Sequence, residues 1–348
     1  MDTPTSPSVS PAGGQATWPA DLLQVWERSA TAEYASLTRT GSPVTVPTTP
    51  YVGVEGRTLD ISTGLTYPAK AERARRDPRV CLLFADPVGS GIDQPPTVLV
   101  QGLATVRDSD LQDNTDRYIR RSTEKLPEAT KGQPRFVLQR MGWYFARIWI
   151  EITPLHVFWW PDRQLKEAAQ SWHAPEGTAA PLSDPAPSGS QPKAWLHPPT
   201  SWRHKAADVC ARLPLQDLTV IGANGFPTCL PVTSTRLVDD GFVVQLGPGA
   251  LSIGNGPACL TMHSHPEVFT GQENRTFVGH AVSEGRPGQP TAVRIRVDKA
   301  LADWSIVGNR AQSSISFLRK GRLLAPRLHS EADRRFQPVP TVRFPPGR

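Results

Sequence analysis

Residues 41–47 read Gly-Ser-Pro-Val-Thr-Val-Pro, and residues 225–231 read Gly-Phe-Pro-Thr-Cys-Leu-Pro. Each stretch opens a run of alternating apolar residues that is typical of short β-strands. The first residues of the two stretches, Gly41 and Gly225, are 184 positions apart. Similar strand-like runs follow both stretches in the same order. The sequence therefore predicts two copies of one β-rich unit within the chain.

The spacing between the two copies shortens at one place. Cys81 and Cys259 occupy matching positions in later apolar runs, yet they are separated by 178 positions rather than 184. The second copy lacks the basic segment over 69–78, Ala-Lys-Ala-Glu-Arg-Ala-Arg-Arg-Asp-Pro. Cations at the start of a helix suit an anionic ligand, because backbone N–H groups and the helix dipole also favour negative charge there. We therefore expect an anion site in the first copy only.

Composition narrows the class of protein. A chain of 348 residues is long enough for two domains with cores of their own. The formal net charge of +6 is scattered, and no lysine and arginine block predicts a nucleic-acid partner. No apolar run approaches the roughly 20 residues that span a bilayer, and no signal peptide is evident. The four cysteines lack the spacing of a zinc site, so we expect no metal site. A disulfide framework is not indicated either, which fits a reducing compartment. We therefore expect a cytoplasmic protein with no membrane partner.

The pattern of strands, turns and proline-rich stretches predicts a mainly β fold. Short strands separated by turns favour barrels, so we expect two split β-barrel domains with a few helices, forming an internal pseudo-dimer. We also expect a short helix over 165–172. The predicted divisions are a disordered N-terminus over 1–17, a first barrel over 18–160, a Pro-rich linker over 161–200, a degenerate second barrel over 201–325 and a basic Pro-rich tail over 326–348.

The residues at the end of the predicted strand that precedes the basic segment carry the chemistry of the anion site. Ser62 and Thr63 place two hydroxyls at the end of a strand. Lys70 provides a mobile point charge at the start of the next helix, and Arg73 lies about one turn further along the same face. These four side chains are the predicted ligands of an anionic group.

The order and spacing of several motifs resemble the pyridoxamine-5'-phosphate-oxidase-like family of flavin-binding split barrels. The resemblance covers residues 37–160 well and residues 215–300 more loosely. The motifs that carry it are Gly41 to Pro47, Ile61 to Thr63, Ala69 to Ala71, Arg76 to Val80, Thr97 to Gly102 and Trp143 to Trp159.

The resemblance implies FMN, or the deazaflavin F420, bound at an interface between barrels. By position in the family, Ser62, Thr63 and Lys70 would contact the phosphate and ribityl chain. Several relatives carry a further arginine before this lysine, whereas this chain reads Tyr67-Pro-Ala-Lys70, so one phosphate cation is missing there. The cofactor-binding residues implied by the resemblance are Thr45, Val46, Pro47, Thr48, Ser62, Thr63, Lys70, Arg73 and Thr97, with the first four against the flavin ring and Thr97 near its edge.

The expected function is that of a flavin-dependent oxidoreductase, with hydride transfer between bound FMN or F420 and a small-molecule substrate. No side chain stands out as a general acid or base. The alternative is a non-catalytic protein that stores, senses or sequesters a flavin or haem, with His263 or His265 as an axial ligand. Those two histidines, with Glu267 and Glu273 nearby, also form a weak metal-binding pattern. The chain would act as a monomer with an internal pseudo-dimer, or as a homodimer.

Overall fold

The computed structural model describes residues 20–53, 56–129, 131, 133–189, 201–269, 271–284, 291–301 and 310–344. Within them the chain forms two curled antiparallel sheets. The mainly β fold with two split barrels, predicted from the strand pattern, is confirmed. The predicted disordered N-terminus over 1–17 lies outside the described residues.

The first sheet curls round on itself because its two end strands are halves of one bent segment. The strand order is β2-β1-β5-β6-β7-β4-β3, with β8 paired to the far part of β7. Only two residues separate the end strands β2 and β3. The strands are β1 (Ala32–Leu37), β2 (Pro43–Thr48), β3 (Tyr51–Val52), β4 (Leu59–Gly64), β5 (Arg79–Phe84), β6 (Thr97–Arg107), β7 (Arg147–Trp160) and β8 (Gln170–His173).

The second sheet repeats this topology strand for strand. Its order is β10-β9-β13-β14-β15-β12-β11, which is the order of the first sheet with each strand replaced by its counterpart. The predicted duplication is therefore present in the fold. The strands are β9 (Leu215–Ile221), β10 (Pro227–Pro231), β11 (Ser234–Val238), β12 (Gly241–Leu246), β13 (Gly256–Ser264), β14 (Glu273–Ser283) and β15 (Thr291–Ala300).

Helices cover the barrels, and α2 has a place in the first copy only. It connects β4 to β5, whereas a loop over 247–255 connects the corresponding strands β12 and β13. No helix in the described part of the chain is long and apolar enough to cross a membrane. The α-helices are α1 (Ala20–Arg28), α2 (Ala69–Arg76), α3 (Leu111–Lys125), α4 (Arg135–Gln139), α5 (Gly142–Phe145), α6 (Trp202–Arg212) and α7 (Arg310–Asp333).

The side chains of β7 alternate between the core of the first barrel and the outer face, where helix α3 packs. Ile148, Ile150 and Ile152 point into the core of the first barrel. Successive side chains of a strand point to opposite faces, so Trp149 lies on the outer face. There its indole N–H donates to the carbonyl of Asn114 on α3, which packs this helix against the barrel.

The two barrels meet through equivalent strands. β2 packs against β13 and β14, and its counterpart β10 packs against β5 and β6. The backbone N–H of Thr45 donates to the Cys259 thiol at 3.3 Å. The matching bond links the backbone of Cys229 to the Cys81 thiol. This reciprocal pattern is that of an approximate two-fold axis, so the two copies form an internal pseudo-dimer.

The segment after β7 differs from the predicted linker. Residues 170–173 form β8 where a short helix over 165–172 was expected, because they extend the sheet along β7. Further on, the Asp184 carboxylate accepts the backbone N–H groups of Asp108 and Ser109 at 2.7 and 2.8 Å. The described part of this segment is therefore packed against the first barrel. A division of the chain into two domains at 161–200 remains a proposal.

The C-terminal region also differs from the predicted Pro-rich tail over 326–348. Helix α7 continues through Pro326 to Asp333, so the expected start of the tail lies inside a helix. The physical reason is a buried ionic network just beyond the helix. The Arg335 guanidinium pairs with Asp108 at 2.8 Å and with Glu331 at 2.6 Å, and this holds the end of α7 on the first barrel.

Candidate functional site

A tight turn between β4 and α2 positions the predicted lysine. The backbone N–H of Tyr67 donates to the carbonyl of Gly64 at 2.8 Å, which closes the turn. Pro68 precedes the first helical residue, and its fixed φ favours a helix start at this point. Lys70 therefore lies in the first turn of α2, at the end of the helix that favours negative charge.

Lys70 is half-buried and has no hydrogen-bond or ion-pair partner among the described residues. Burial lowers the pKa of its ammonium, and the nearby charges of Arg147 and Arg73 lower it further, to about 7. A cation beside two other cations is unfavourable unless an anion joins them. The site is therefore electropositive and lacks a counter-charge from the described protein.

Arg147 opens β7 directly opposite Gly64, the last residue of β4. Its guanidinium lies over the rings of Tyr118 and Tyr144, at 4.0 and 4.8 Å from their centroids. A side chain at position 64 would begin 3.3 Å from the guanidinium, so this glycine leaves it room. The buried Nε of Arg147 has no hydrogen-bond partner in the described structure. Aromatic stacking thus fixes the guanidinium while leaving donor capacity for a ligand.

The two hydroxyls predicted at the end of β4 are used differently. Ser62 and Gly64 are two positions apart and share the face of the sheet that carries Arg147. The Ser62 hydroxyl makes no hydrogen bond within the described residues. The Thr63 hydroxyl instead donates to the carbonyl of Tyr67 at 2.9 Å and supports the turn. The structure therefore places Ser62 on the same face of the sheet as Arg147 and assigns Thr63 to the local fold.

Arg73 adds a third cation on the side of Lys70 that faces the second copy. Its Nε donates to the Ser36 hydroxyl of β1 at 2.9 Å. Burial lowers the pKa of the guanidinium, and the Cys259 thiol of β13 is among the groups that raise it. We use the name basic cluster for Lys70, Arg73 and Arg147.

The structure places Thr45 between the two barrels. Its hydroxyl lies 2.6 Å from the hydroxyl of Thr219, and its carbonyl accepts the hydroxyl of Thr261 at 3.1 Å. All its polar groups therefore have protein partners from the second copy. Of the three residues that follow on β2, Pro47 and Thr48 are buried and Val46 is partly exposed.

The structure does not bring Thr97 to the basic cluster. Thr97 opens β6 beside Trp160, the last residue of β7, whereas Arg147 is the first residue of that strand. A strand of 14 residues separates the two ends, which is about 40 Å along the chain. Thr97 is also buried.

In the second copy, protein segments cover the position that corresponds to α2. The Gly249 N–H donates to the carbonyl of Leu165 at 2.7 Å, and the Trp160 indole donates to the Gly249 carbonyl at 2.9 Å. A side chain at Gly247 would begin 2.0 Å from the Gln164 carbonyl oxygen, so the close approach requires glycine. The loop over 247–255 therefore packs against the segment that follows β7.

The second copy also lacks the cations of the first. The strand pair that matches Gly64 and Arg147 ends in Leu246 and Thr291. No lysine or arginine occurs over 247–255. Within the described residues, the arrangement of β4, α2 and Arg147 occurs once.

The two histidines considered as metal or haem ligands are both buried and face different carboxylates. His265 Nε2 lies 2.6 Å from Asp86 Oδ2, and His263 Nε2 lies 2.5 Å from Glu33 Oε1. Glu273 pairs with arginines instead, and Glu267 is exposed. Because both imidazoles are buried among protein groups, neither is open to a haem as an axial ligand.

Sequence reasoning missed the carboxylates that face these histidines, since they come from distant strands. Glu33 lies on β1 of the first copy, and Asp217 lies on β9 near His263. The available signal was the duplication itself, because Glu33 and Asp217 are 184 positions apart, the same spacing as Gly41 and Gly225.

No family model matches the sequence, and no curated protein matches it either. Solved structures do match it. One is an F420 reductase, 18% identical over 38% of this chain and 92% of its own, with a TM-score of 0.29. Another, related to general stress protein 26 and of the pyridoxinephosphate oxidase family from Clostridium acetobutylicum, is 14% identical over 44% of this chain and 92% of its own, with a TM-score of 0.31.

A third match is an FMN-binding protein related to pyridoxamine 5'-phosphate oxidase from Nostoc punctiforme. It is 16% identical over 44% of this chain and 84% of its own, with a TM-score of 0.30. Each of these three matches covers less than half of this chain.

Proposed function

We propose that the chain is a flavin-dependent oxidoreductase that holds one FMN or F420 molecule by its phosphate, at Lys70, Arg147 and Ser62. The observation that carries this proposal is the ammonium of Lys70, which lies beside Arg147 without a partner in the described structure. A protein gains no stability from an uncompensated, half-buried cation, so such a group indicates a ligand.

The residues present fit a phosphate group. A phosphate beside Lys70 would favour its charged form and raise its pKa from the value of about 7. Arg147 would provide the second cation, which the sequence lacks immediately before Lys70. Charge-assisted hydrogen bonds from both groups, with the Ser62 hydroxyl as a neutral donor, would hold the anion. Arg73 would add positive charge from the side of the second copy.

The flavin ring would lie along β2, against Val46, Pro47 and Thr48. Thr45 would contribute indirectly, because its hydrogen bonds to the second copy hold β2 in place. Thr97 is left out of this site because it lies at the far end of β7 from Arg147. The second copy would thus serve as the partner against which the first copy builds its site.

The bound flavin supplies the hydride chemistry, as cofactors do in this class of enzyme. The residues of the chain would bind the phosphate, orient the ring and exclude water from it. We assign no side chain as a general acid or base.

A titration with FMN and with F420, followed by absorbance and fluorescence, tests the site. We expect Lys70→Ala and Arg147→Ala each to weaken FMN binding by about 10- to 100-fold, the usual effect of losing a hydrogen bond from a charged group. Binding of riboflavin, which lacks the phosphate, should change much less. Lys131→Ala is the matched control, because its side chain is 71% exposed and pairs with Glu128 at the surface. The proposal would be contradicted if Lys70→Ala and Arg147→Ala each bound FMN and F420 as tightly as wild type does.

The rate of flavin reduction separates an enzyme from a storage or sensing protein. NAD(P)H should bleach the bound flavin faster than it bleaches free FMN under the same conditions. If the chain binds FMN through Lys70 but reduction is no faster than in free solution, the non-catalytic alternative is correct and the site assignment still holds.

A further inference from the structure

Three fully buried ionisable side chains meet where the two barrels pack together. Glu33 comes from β1 of the first copy, while Asp217 and His263 come from β9 and β13 of the second copy. All three are 0% exposed. One ligand atom from each residue lies within 4.8 Å of the other two. We call these three residues the interface triad.

The pseudo-two-fold symmetry explains why the two carboxylates of the interface triad lie close together. Glu33 and Asp217 are equivalent positions in the two copies, and both face the interface. In the strand register, Glu33 is paired with Leu83 and Asp217 is paired with Thr261, which are also equivalent. The imidazole has no such counterpart, because the position that matches His263 in the first copy is Ala85. Two symmetric carboxylates and one asymmetric imidazole therefore share one buried space.

Five polar atoms of the interface triad lack hydrogen bonds in the described structure. This holds for both carboxylate oxygens of Glu33, for Oδ2 of Asp217 and for both ring nitrogens of His263. The His263 Nε2 is 2.5 Å from Glu33 Oε1 and 3.9 Å from Asp217 Oδ2, so a protonated imidazole would form an ion pair with Glu33 in the metal-free protein. Buried charges that are not paired are costly, typically by several kcal/mol. A cation at the centre would be bound by the three carboxylate oxygens and by Nε2, and would leave Nδ1 of the imidazole as the remaining atom without a hydrogen bond.

Asp217 is held in the orientation that such a cation needs. Its other oxygen, Oδ1, accepts a hydrogen bond from the Arg163 guanidinium at 2.9 Å. Arg163 is itself fixed by donating to the carbonyls of Ala85 and Gln216, at 3.0 and 2.7 Å. Outer hydrogen bonds of this kind orient the ligands of metal sites. Here they direct Asp217 Oδ2 towards Glu33 and His263.

We propose that the interface triad binds one divalent transition metal ion of the Zn²⁺ type, which joins the two copies. The donors are both oxygens of Glu33, Oδ2 of Asp217 and Nε2 of His263, which makes four donor atoms from three residues. An imidazole with two carboxylates suits Zn²⁺ better than Mg²⁺ or Ca²⁺, which prefer oxygen ligands alone. Binding would widen the gap between Glu33 and His263 to about 3 Å, as bonds of about 2 Å to a shared ion require.

The complete burial of the triad indicates a structural role for the ion. A catalytic zinc keeps an open position for water or substrate, whereas a structural zinc is closed by protein ligands. The ion would be bound as the two copies fold against each other, so its binding energy would stabilise their interface. This site is separate from the basic cluster, and the proposal does not depend on flavin binding.

Metal content and cobalt spectroscopy test the proposal on the full chain. The protein is unfolded with EDTA, then refolded with or without Co²⁺, whose visible absorption reports its ligands. We expect one Co²⁺ per chain, its displacement by Zn²⁺, and a lower melting temperature in the metal-free protein. His263→Gln and Glu33→Gln should weaken Co²⁺ binding at least about 100-fold, more than the usual loss of an outer hydrogen-bond partner. His280→Gln, an exposed histidine beside Asp298 on β14, is the matched control and should bind as wild type does.

Each result decides the question, even if the variants fail to fold. If refolded wild type binds no Co²⁺ and melts at the same temperature with and without metal, the triad shares protons instead and the proposal is wrong. A thiolate-to-cobalt charge-transfer band would place the metal on the cysteines and would also overturn it. Folded His263→Gln with unchanged Co²⁺ binding would do the same.

Discussion

Lys70 and Arg147 lie close enough for the charge of the arginine to lower the pKa of the lysine, although 77 positions separate them in the sequence. The β4 to β7 register brings them together, because it sets Arg147 opposite Gly64 just before the turn into α2. No carboxylate among the described residues pairs with Lys70. Burial and the neighbouring arginine therefore both disfavour the charged form of Lys70 in the free protein.

The first prediction is that Lys70→Met stabilises the cofactor-free protein at pH 7 while it weakens FMN binding. Burial lowers the pKa of Lys70 from 10.5 to about 7, so the folded state resists the charged form. Because the lysine is only half-buried, we expect a gain of about 1–3 kcal/mol in the free energy of unfolding, less than the full shift implies. Urea unfolding of wild type and Lys70→Met measures it, with Lys131→Met as the exposed control.

The stability gained by Lys70→Met over wild type should depend on pH in a defined direction. Between pH 7 and 10.5 the unfolded chain holds more protons on this lysine than the folded chain does. The stability of wild type should therefore rise with pH across this range relative to Lys70→Met. The advantage of Lys70→Met should be full below pH 7 and nearly gone at pH 10. A loss of stability in Lys70→Met at pH 7 would show that the lysine has a stabilising partner.

A second prediction concerns the pH dependence of FMN affinity. In the cofactor-free protein Lys70 loses its proton as the pH rises through about 7. FMN affinity should therefore fall between pH 7 and 8.5, by at most about tenfold for each pH unit. Riboflavin affinity should stay level, because riboflavin has no phosphate. Lys70→Arg should bind FMN with a flat profile, since the guanidinium keeps its charge; a profile as steep as that of wild type would exclude Lys70 as the titrating group.

A third prediction tests the glycine at the β-bulge of each copy. The register of β6 and β7 shifts between Gln101 and Gly102, and that of β14 and β15 shifts at Gly279. A side chain at Gly102 would begin 2.4 Å from the carbonyl oxygen of Thr153. Gly102→Ala should lower the free energy of unfolding by about 1–3 kcal/mol, as overpacking does.

Gly254→Ala is the control for this substitution, because the nearest atom to its new side chain lies 4.0 Å away. Urea unfolding compares the two variants with wild type. Equal midpoints for Gly102→Ala and Gly254→Ala would mean that the bulge does not require glycine.

A fourth prediction concerns the anchor of the C-terminal helix. The side chain of Arg335 is 3% exposed and pairs with Asp108, Glu331 and Glu72. Arg335→Leu removes the cation that these carboxylates share, while Asp108 keeps its pair with Arg75 and Glu331 keeps its pair with Arg334. The substitution should therefore cost about 3 kcal/mol of unfolding free energy, the lower end for a broken buried pair. Arg343→Leu serves as the control, because that side chain is 64% exposed. Thermal melts that are the same for both variants would contradict a structural role for the network.

Local patterns predicted several elements of the fold closely. The alternating runs that open at Gly41 and Gly225 predicted strands where β2 and β10 lie, and the basic segment over 69–78 predicted the position of α2. The 184-residue repeat predicted two barrels, because equal spacing in sequence reflects equal strand positions. These features depend on neighbours in the chain, which a sequence displays directly.

Features that depend on distant contacts could not be predicted in this way. Helix α7 passes through Pro326 because Arg335 is fixed by carboxylates from other elements, against the local signal for a tail. Arg147 joins Lys70 only through the β4 to β7 register. Thr45 belonged to the predicted ring site, but its partners come from the second copy. The sequence identified these residues, but it did not identify the distant residues that contact them.

The number of FMN molecules bound per chain tests the central claim most directly. Isothermal titration calorimetry of wild type with FMN measures it, and the same titration of Lys70→Ala assigns the site. We expect one FMN per chain in wild type and a strongly weakened site in Lys70→Ala, because the basic cluster has no counterpart over 247–255. Two FMN molecules per chain, or one that binds Lys70→Ala as tightly as wild type, would contradict the account.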